Sequence, residues 1–312
     1  MSRILITGAA GMIGRALIEE LARDPAHEII ASDLSNQTLP PDLNFRILDV
    51  TGEDADIVIE DLKPDVVVHL ASIVTPPDGM SRAAAHAVDV QGSRNVLDAC
   101  LKHGVKRLVV TSSGAAYGYH ADNPAMLVES DPCRGNPEFP YADHKRQVEE
   151  MLAQARKDAP DLEQVVLRVG TVLGAGTENQ ITALFHKPRL LAVKGSDSPF
   201  VFIWTRDLAR ILKRAATDGP VGIYNVAGDG ALGVTALAQK LGKPILRLPA
   251  FALKAALFVA KPLGLSRYGP EQVRFLQYRP VLANDALKSQ FGYTPEKTSQ
   301  EVFEHWQASV GL

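Results

Sequence analysis

The chain has 312 residues, 46% hydrophobic and 22% charged, which suits one or two soluble domains with a large core. Its 33 Lys and Arg stand against 36 Asp and Glu, a formal charge of −3 with no basic stripe, and this excludes nucleic acid as the main partner. Two cysteines, Cys100 in a helical pattern and Cys133 in a polar loop, point to a reducing, cytoplasmic setting; the start, Met1-Ser2-Arg3, leads straight into an apolar strand, so no leader is expected.

Residues 4–6 read as the first strand. Ile13, Ala16, Leu17 and Leu21 then recur at helical spacing. Further strands are expected over 28–31, 45–48, 66–68, 108–110 and 165–169. Helices separate them, one carrying Val88, Val96, Leu97 and Ala99 and another spanning 141–156. These strands are apolar runs without alternation, so both faces should be covered. With helices between them they predict an α/β, doubly wound parallel sheet. In the second half a Gly-containing loop is expected over 174–179, a helix over 207–217 and a strand over 223–226. From Thr235 onward the pattern is mostly helical, with loops at Pro244, Pro249 and Pro262. The most apolar stretch, 248–265, is broken by Lys254, Lys261 and Pro262, so it reads as a buried or cleft-lining helix and not a membrane span.

The turn Thr7-Gly8-Ala9-Ala10-Gly11-Met12-Ile13-Gly14 joins the first strand to the first helix. Gly8 suits a tight turn, Gly11 a close approach of backbone to a pyrophosphate, and Gly14 the packing of helix on strand. The N–H groups of Ala10, Met12 and Ile13 lie where the positive end of the helix dipole would meet phosphate. Asp33 ends the second strand, 19 residues after Gly14, where a carboxylate can accept hydrogen bonds from ribose hydroxyls. A carboxylate there repels a 2′-phosphate, so the expected cofactor is NAD.

Tyr141 and Lys145 stand at i and i+4 on one expected helix and share a face. A nearby ammonium favours the tyrosinate, which predicts a phenol able to exchange a proton near neutral pH. Thr111, Ser112 and Ser113 close the fifth strand at the carboxyl edge where ligands of such sheets bind. His69 reads as a packed strand-end residue, and Phe202 and Trp204 as core aromatics that could equally flank a cleft. No cluster of metal-ligating spacing is seen.

These landmarks resemble the extended short-chain dehydrogenase/reductase superfamily, in its NAD-dependent epimerase/dehydratase branch, over nearly the full length. Asp49-Val50, His69-Leu70-Ala71-Ser72, Tyr117-Gly118, Leu167-Arg168 through Gly174, Asp207-Leu208-Ala209 and Tyr224-Asn225-Val226 match as well. The resemblance implies a Rossmann domain over 1–170, its sheet completed by about 200–227, and a smaller substrate-binding lobe over 171–199 and 228–312. It implies Ser113, Tyr141 and Lys145 as the catalytic set. It places Asp49 and Val50 at the adenine, Leu70, Ala71 and Ser72 along the pyrophosphate and nicotinamide ribose, Thr111 with Tyr141 and Lys145 on the cofactor, and Val169 and Val172 near the carboxamide. It also implies a homodimer formed through the helix carrying Tyr141 and the one before it.

Departures from the family pattern bear on substrate. Gly114-Ala115 follows Ser113 where sugar dehydratases carry an acidic pair, so a dehydratase is not expected. Phe200 stands where UDP-sugar epimerases present a phosphate-binding Arg, although Arg279 resembles their second one. Asp89 replaces the usual Asn before Val90, and Thr171 another usual Asn. The reading expected from this is an oxidoreductase moving hydride between NAD and a secondary alcohol or ketone, sugar-derived or otherwise polyhydroxylated or cyclic. A UDP-sugar 4-epimerase that retains its NAD is the alternative, and a non-enzymatic dinucleotide-sensing regulator a more remote one. The expected partner is a small molecule, with neither nucleic acid nor membrane.

Overall fold

A computed structural model describes residues 2–266 and 268–312. In chain order the elements of the first half are β1 (Ser2–Thr7), α1 (Met12–Leu21), β2 (His27–Asp33), β3 (Phe45–Ile47), α2 (Asp54–Leu62), β4 (Val66–His69), α3 (Arg82–His86), α4 (Gly92–Lys102), β5 (Arg107–Ser113), α5 (Pro140–Asp158) and β6 (Glu163–Val169). The second half holds β7 (Thr171–Leu173), α6 (Thr182–Phe185), β8 (Leu190–Val193), β9 (Phe202–Trp204), α7 (Thr205–Ala216), β10 (Gly222–Val226), α8 (Val234–Leu241), β11 (Ile245–Leu248), α9 (Ala250–Ala260), α10 (Gln272–Gln277), α11 (Asp285–Ser289) and α12 (Ser299–Ser309).

Seven strands form one sheet in the order β10-β6-β5-β4-β1-β2-β3, every pair parallel. Successive side chains of a strand point to opposite faces, and both faces here are apolar. Ile4 and Ile6 pack with Leu17, Leu21, Leu208 and Leu212 on one side. Leu5 packs with Ile59, Val96 and Leu152 on the other. The doubly wound sheet expected from unalternating strands is therefore the fold observed. The chain reverses its direction of winding between β1 and β4, and ligands of such sheets bind outside the carboxyl ends at that point.

Beyond the main sheet lie two short parallel pairs, β7 with β9 and β8 with β11, that the sequence pattern did not show. An aromatic cluster of Phe185, Phe200, Phe202, Phe303 and Trp306 holds this region together. Phe202 and Trp204 are buried here as core aromatics. Thr298 and Glu301 form a reciprocal cap that starts α12.

The apolar stretch over 248–265 lines a cleft, one of the two roles expected of it, but is covered on one face only. In α9, Leu253 is buried and Leu257 half-buried against the cavity described below, but Phe251 and Phe258 are 76% and 70% exposed. The helix has apolar residues on every face, and only one face has a neighbour to pack against. Among the described residues no helix is long and apolar enough to cross a membrane. Cys100 and Cys133 are both free thiols.

Candidate active site

The turn after β1 is shaped by its glycines. Gly8 has φ +70°, and a Cβ on it would lie 2.6 Å from the backbone nitrogen of Ala71. A Cβ on Gly14 would lie 2.5 Å from the carbonyl oxygen of Ala9, so only glycine lets α1 start this close to β1. Gly11 occupies the N-cap of α1 with no side-chain cap, and the first turn carries no acidic residue. The exposed N–H groups and the dipole of α1 thus face open space where an anion fits. Asp33 lies beside this turn. One carboxylate oxygen accepts from Ala10 N–H at 2.9 Å and the other from Leu34 N–H at 2.7 Å. The carboxylate expected at a ribose therefore also pins the phosphate turn.

Leu70 continues β4 next to β1, its N–H donating to the Thr7 carbonyl at 3.0 Å. Asp49 and Val50 follow the end of β3, where Leu48 N–H donates to Asp33 carbonyl oxygen at 3.1 Å. Asp49 is exposed and accepts from Thr51. Val50 is buried in the core, where a Cβ on Gly92 would meet it at 2.6 Å. The expected adenosine residues therefore gather around the ends of β2 and β3. His69 is a packed residue, as its position at the strand end suggested. Its ring nitrogens pair with Thr7 at 2.8 Å and Ser93 at 3.0 Å, and burial lowers its pKa to about 3.

A cavity of about 330 Å³ opens at the carboxyl ends of β1, β4, β5 and β6. Met12 and Ile13 line it together with Leu70, Ser72, Thr111, Val169 and Val172, and with Ser113, Tyr141 and Lys145. No Asp or Glu is among the lining residues. At Gly114, where sugar dehydratases carry an acidic residue, a Cβ would meet Leu282 at 3.1 Å.

Pro140 opens α5 at its first position, where a missing N–H costs nothing. One turn separates Tyr141 from Lys145, and the Lys145 ammonium lies 5.7 Å from the Tyr141 ring centroid. Ser113 is within hydrogen-bonding reach of the Tyr141 hydroxyl. Lys145 is buried and donates to the Thr111 carbonyl at 2.9 Å. The spacing predicted a phenol with a lowered pKa. Here burial pushes Tyr141 up, the negative charge of Asp89 adds to that, and the Ser113 hydrogen bond only partly offsets it. Lys145 is itself held below its ordinary range by burial, although Asp89 and Glu149 oppose this. Its ammonium donates to Thr111, and burial of the phenol dominates, so the expected lowering is missing.

Beneath these groups lies a buried ionic lock. Arg168 on β6 grips Glu149 on α5 with two bonds of 2.8 and 2.9 Å. Glu149 also accepts from Ser112 at 2.6 Å, and Arg168 donates to the Tyr117 hydroxyl at 2.8 Å. Two parallel charge-assisted bonds fix both distance and plane. They fasten α5, and with it Tyr141 and Lys145, to the ends of β5 and β6.

A second buried cluster was missed by sequence reasoning. Between α3 and α4 the helix widens into one π turn over Ala87–Gln91, an irregularity common at functional sites. Asp89 lies in the middle of it. One oxygen accepts from Ile73 N–H at 2.7 Å and Ser72 hydroxyl at 2.9 Å; the other pairs with His144 Nδ1 at 2.8 Å. Burial disfavours the carboxylate, but the bonds from His144 and Ile73 and the charge of Lys145 outweigh it and hold Asp89 below its ordinary range. Asp89 was noted only as a departure from Asn, and His144, between Tyr141 and Lys145, was passed over. Their pairing crosses two elements and leaves no local signal.

Tyr119 and Arg279 complete the wall beside Tyr141. Tyr119 lines the cavity beside Tyr141, its ring edge-on to Phe139 and Phe275, and burial pushes its phenol up to about 12. Arg279 is sandwiched between Phe200 at 3.8 Å and Phe275 at 4.7 Å from their ring centroids. Phe200 therefore sits at the cavity as expected, but as a platform for a cation supplied by another segment.

The sequence matches the model of the NAD dependent epimerase/dehydratase family over residues 4–227. The chain belongs to that family. It is thus an NAD-dependent enzyme of the extended short-chain dehydrogenase/reductase type, as the landmarks of the first half anticipated. An uncharacterised protein of Mycobacterium tuberculosis is 25% identical over 99% of this chain and 84% of its own length. The sterol-4-alpha-carboxylate 3-dehydrogenase (decarboxylating) of Saccharomyces cerevisiae is 28% identical over 65% of this chain and 60% of its own length. Among solved structures, UDP-glucose 4-epimerase of Thermotoga maritima, determined with UDP-glucose, superposes with a TM-score of 0.77. It shares 19% identity, covering 99% of this chain and 98% of that one.

Proposed function

We propose that this protein is a net oxidoreductase that transfers hydride between NAD and a secondary alcohol or ketone. The observation that supports this most is the convergence of Ser113, Tyr141 and Lys145 on one cavity at the carboxyl edge of the sheet, which Met12 and Ile13 of the glycine turn also line. Elimination of water needs an acid or base beyond the phenol, and the carboxylate beside this space, Asp89, is already held by Ser72, Ile73 and His144.

NAD, held by the turn at Gly8, Gly11 and Gly14 and by Asp33, supplies the hydride acceptor or donor. Ser113 holds the substrate oxygen. In oxidation the Tyr141 phenolate takes the hydroxyl proton as the carbon loses hydride; in reduction the Tyr141 phenol returns it. Lys145 positions the cofactor ribose and, by its charge, stabilises the phenolate when the site is filled. Burial alone leaves Tyr141 protonated, so the free protein is poised as an acid, and the phenolate forms only once positive charge is added nearby. Holding substrate and cofactor side by side supplies much of the remaining acceleration.

The yeast relative is a dehydrogenase, which agrees with net redox chemistry. Epimerisation is the second reading: Arg279 in the cavity wall could meet a nucleotide phosphate, and the Thermotoga structure is that of an epimerase. The test is a panel of sugars, sugar acids, cyclic alcohols and UDP-sugars scored for NADH release. Stoichiometric NADH from a secondary alcohol supports the dehydrogenase. Tightly retained NAD, no NADH on any alcohol, and interconversion of a UDP-sugar would replace it with the epimerase.

A further inference from the structure

Beyond Tyr141 the reaction cavity continues into a second one of about 440 Å³, within the range of roughly 300–1,000 Å³ typical of small-molecule sites. Tyr119, Tyr141, Phe200 and Arg279 line both, so the two are one space meeting at the catalytic phenol. The far part is walled by Leu184, Leu190, Val234, Leu237, Leu253 and Leu257, from four separate elements. Its lining is mostly apolar, with Gln180 and Gln272 among the polar side chains. Asp89 and His144, at the Tyr141 end, are spent on each other at 2.8 Å. Lys187 and Arg189 lie exposed at the rim. The Arg279 guanidinium donates to the Ser198 carbonyl and its backbone N–H to the Ser198 hydroxyl at 3.2 Å, while its buried Nε has no partner among the described residues.

Resting on the oxidoreductase reading above, we infer that the substrate is an amphiphilic lipid-like alcohol or ketone, with an apolar fused-ring or acyl body and a single anionic group. The apolar body fills the leucine-walled space. The oxygen to be oxidised or reduced meets Tyr141 and Ser113, and the anionic group meets Arg279. A nucleotide sugar fits this wall badly, because each ring hydroxyl buried against leucine without a partner weakens binding roughly tenfold. Arg279 lacks a carboxylate partner and has an unpaired buried N–H, so a buried anion from the ligand completes its bonding. α9 carries the same apolar character outward, with Phe251 and Phe258 exposed on the far side of the wall that Leu253 and Leu257 form.

The test is calorimetric titration of the NAD-saturated full chain with lithocholate, ricinoleate and UDP-glucose. The first two combine an apolar body, a secondary hydroxyl and one carboxylate. At least one of them is expected to bind about tenfold or more tighter than UDP-glucose. Leu257→Glu, at a half-exposed position that the fold tolerates, should weaken that ligand at least tenfold with NAD affinity unchanged. Arg279→Met should weaken the carboxylate but not its uncharged carboxamide. Tighter binding of UDP-glucose, or no effect of Leu257→Glu, overturns the inference. NADH from sugars alone overturns it while leaving the dehydrogenase standing. Binding of lithocholate or ricinoleate with no NADH from any alcohol upholds the apolar site and overturns the dehydrogenase.

Discussion

Asp89 is the residue at which substitution separates structural from electrostatic roles. Its carboxylate takes three hydrogen bonds, from Ser72, Ile73 N–H and His144. Replacement by Ala leaves these buried and part-buried groups without a partner, at about 1–3 kcal/mol each, so Asp89→Ala should lose roughly 3–9 kcal/mol. Asn has nearly the same shape. Its oxygen can keep Ser72 and Ile73, and its amide can donate to His144 if that ring presents an unprotonated Nδ1. Asp89→Asn should therefore stay within about 1 kcal/mol of the parent. Its effect should appear in the chemistry instead. The Asp89 charge opposes ionisation of Tyr141. Removing it lowers the Tyr141 pKa, so the rising limb of the oxidation rate moves to lower pH, by up to about one unit, or about 1.4 kcal/mol. Urea unfolding and pH profiles of kcat for both variants check this. Equal destabilisation by Asn and Ala, or a limb that stays or moves to higher pH, would refute the reasoning.

Other sites give separate expectations. Glu149→Gln breaks the bidentate pair with Arg168 and leaves a buried guanidinium uncompensated, so unfolding should become easier by about 3–5 kcal/mol in urea titrations. His69 is neutral when folded, its pKa lowered by burial to about 3 from 6.5. The unfolded chain binds that proton first, so this stability is present above pH 6.5 and lost as pH falls toward 3. Between pH 7 and pH 5 the loss should be about 2 kcal/mol, and His69→Asn should remove that much of the parent's slope. Gly14→Ala drives a methyl against the Ala9 carbonyl, which should cost about 1–3 kcal/mol of stability. Because the phosphate turn moves with it, NAD titration of the folded variant should show at least a tenfold loss of affinity.

Much of this architecture could be read without coordinates, for physical reasons. Strands such as β4 and β5 are short apolar runs because helices cover both faces, and that pattern survives in one dimension. The turn from Gly8 to Gly14 is equally legible, since each glycine answers a local steric demand. Legibility ended where contacts become nonlocal. β7, β8, β9 and β11 pair across long loops in two-stranded ribbons, and their side chains follow no single period. The outer face of α9 was misjudged because an apolar run announces hydrophobicity but not what, if anything, covers it. Tyr141 and Lys145 were found by their spacing, yet their electrostatics depend on burial and on Asp89, a residue 52 positions from Tyr141 in the chain. The pairing of Asp89 with His144 spans 55 positions and left no trace beyond the change from Asn at position 89.

The central claim, that Tyr141 carries the proton while NAD carries the hydride, is tested most directly by single-turnover NADH formation in Tyr141→Phe. The substrate should be whichever alcohol the parent oxidises, with NAD binding measured in parallel. The account predicts unchanged NAD affinity and a hydride-transfer rate lowered by about 10²–10⁴. A variant that binds NAD and transfers hydride at the parent rate would contradict it.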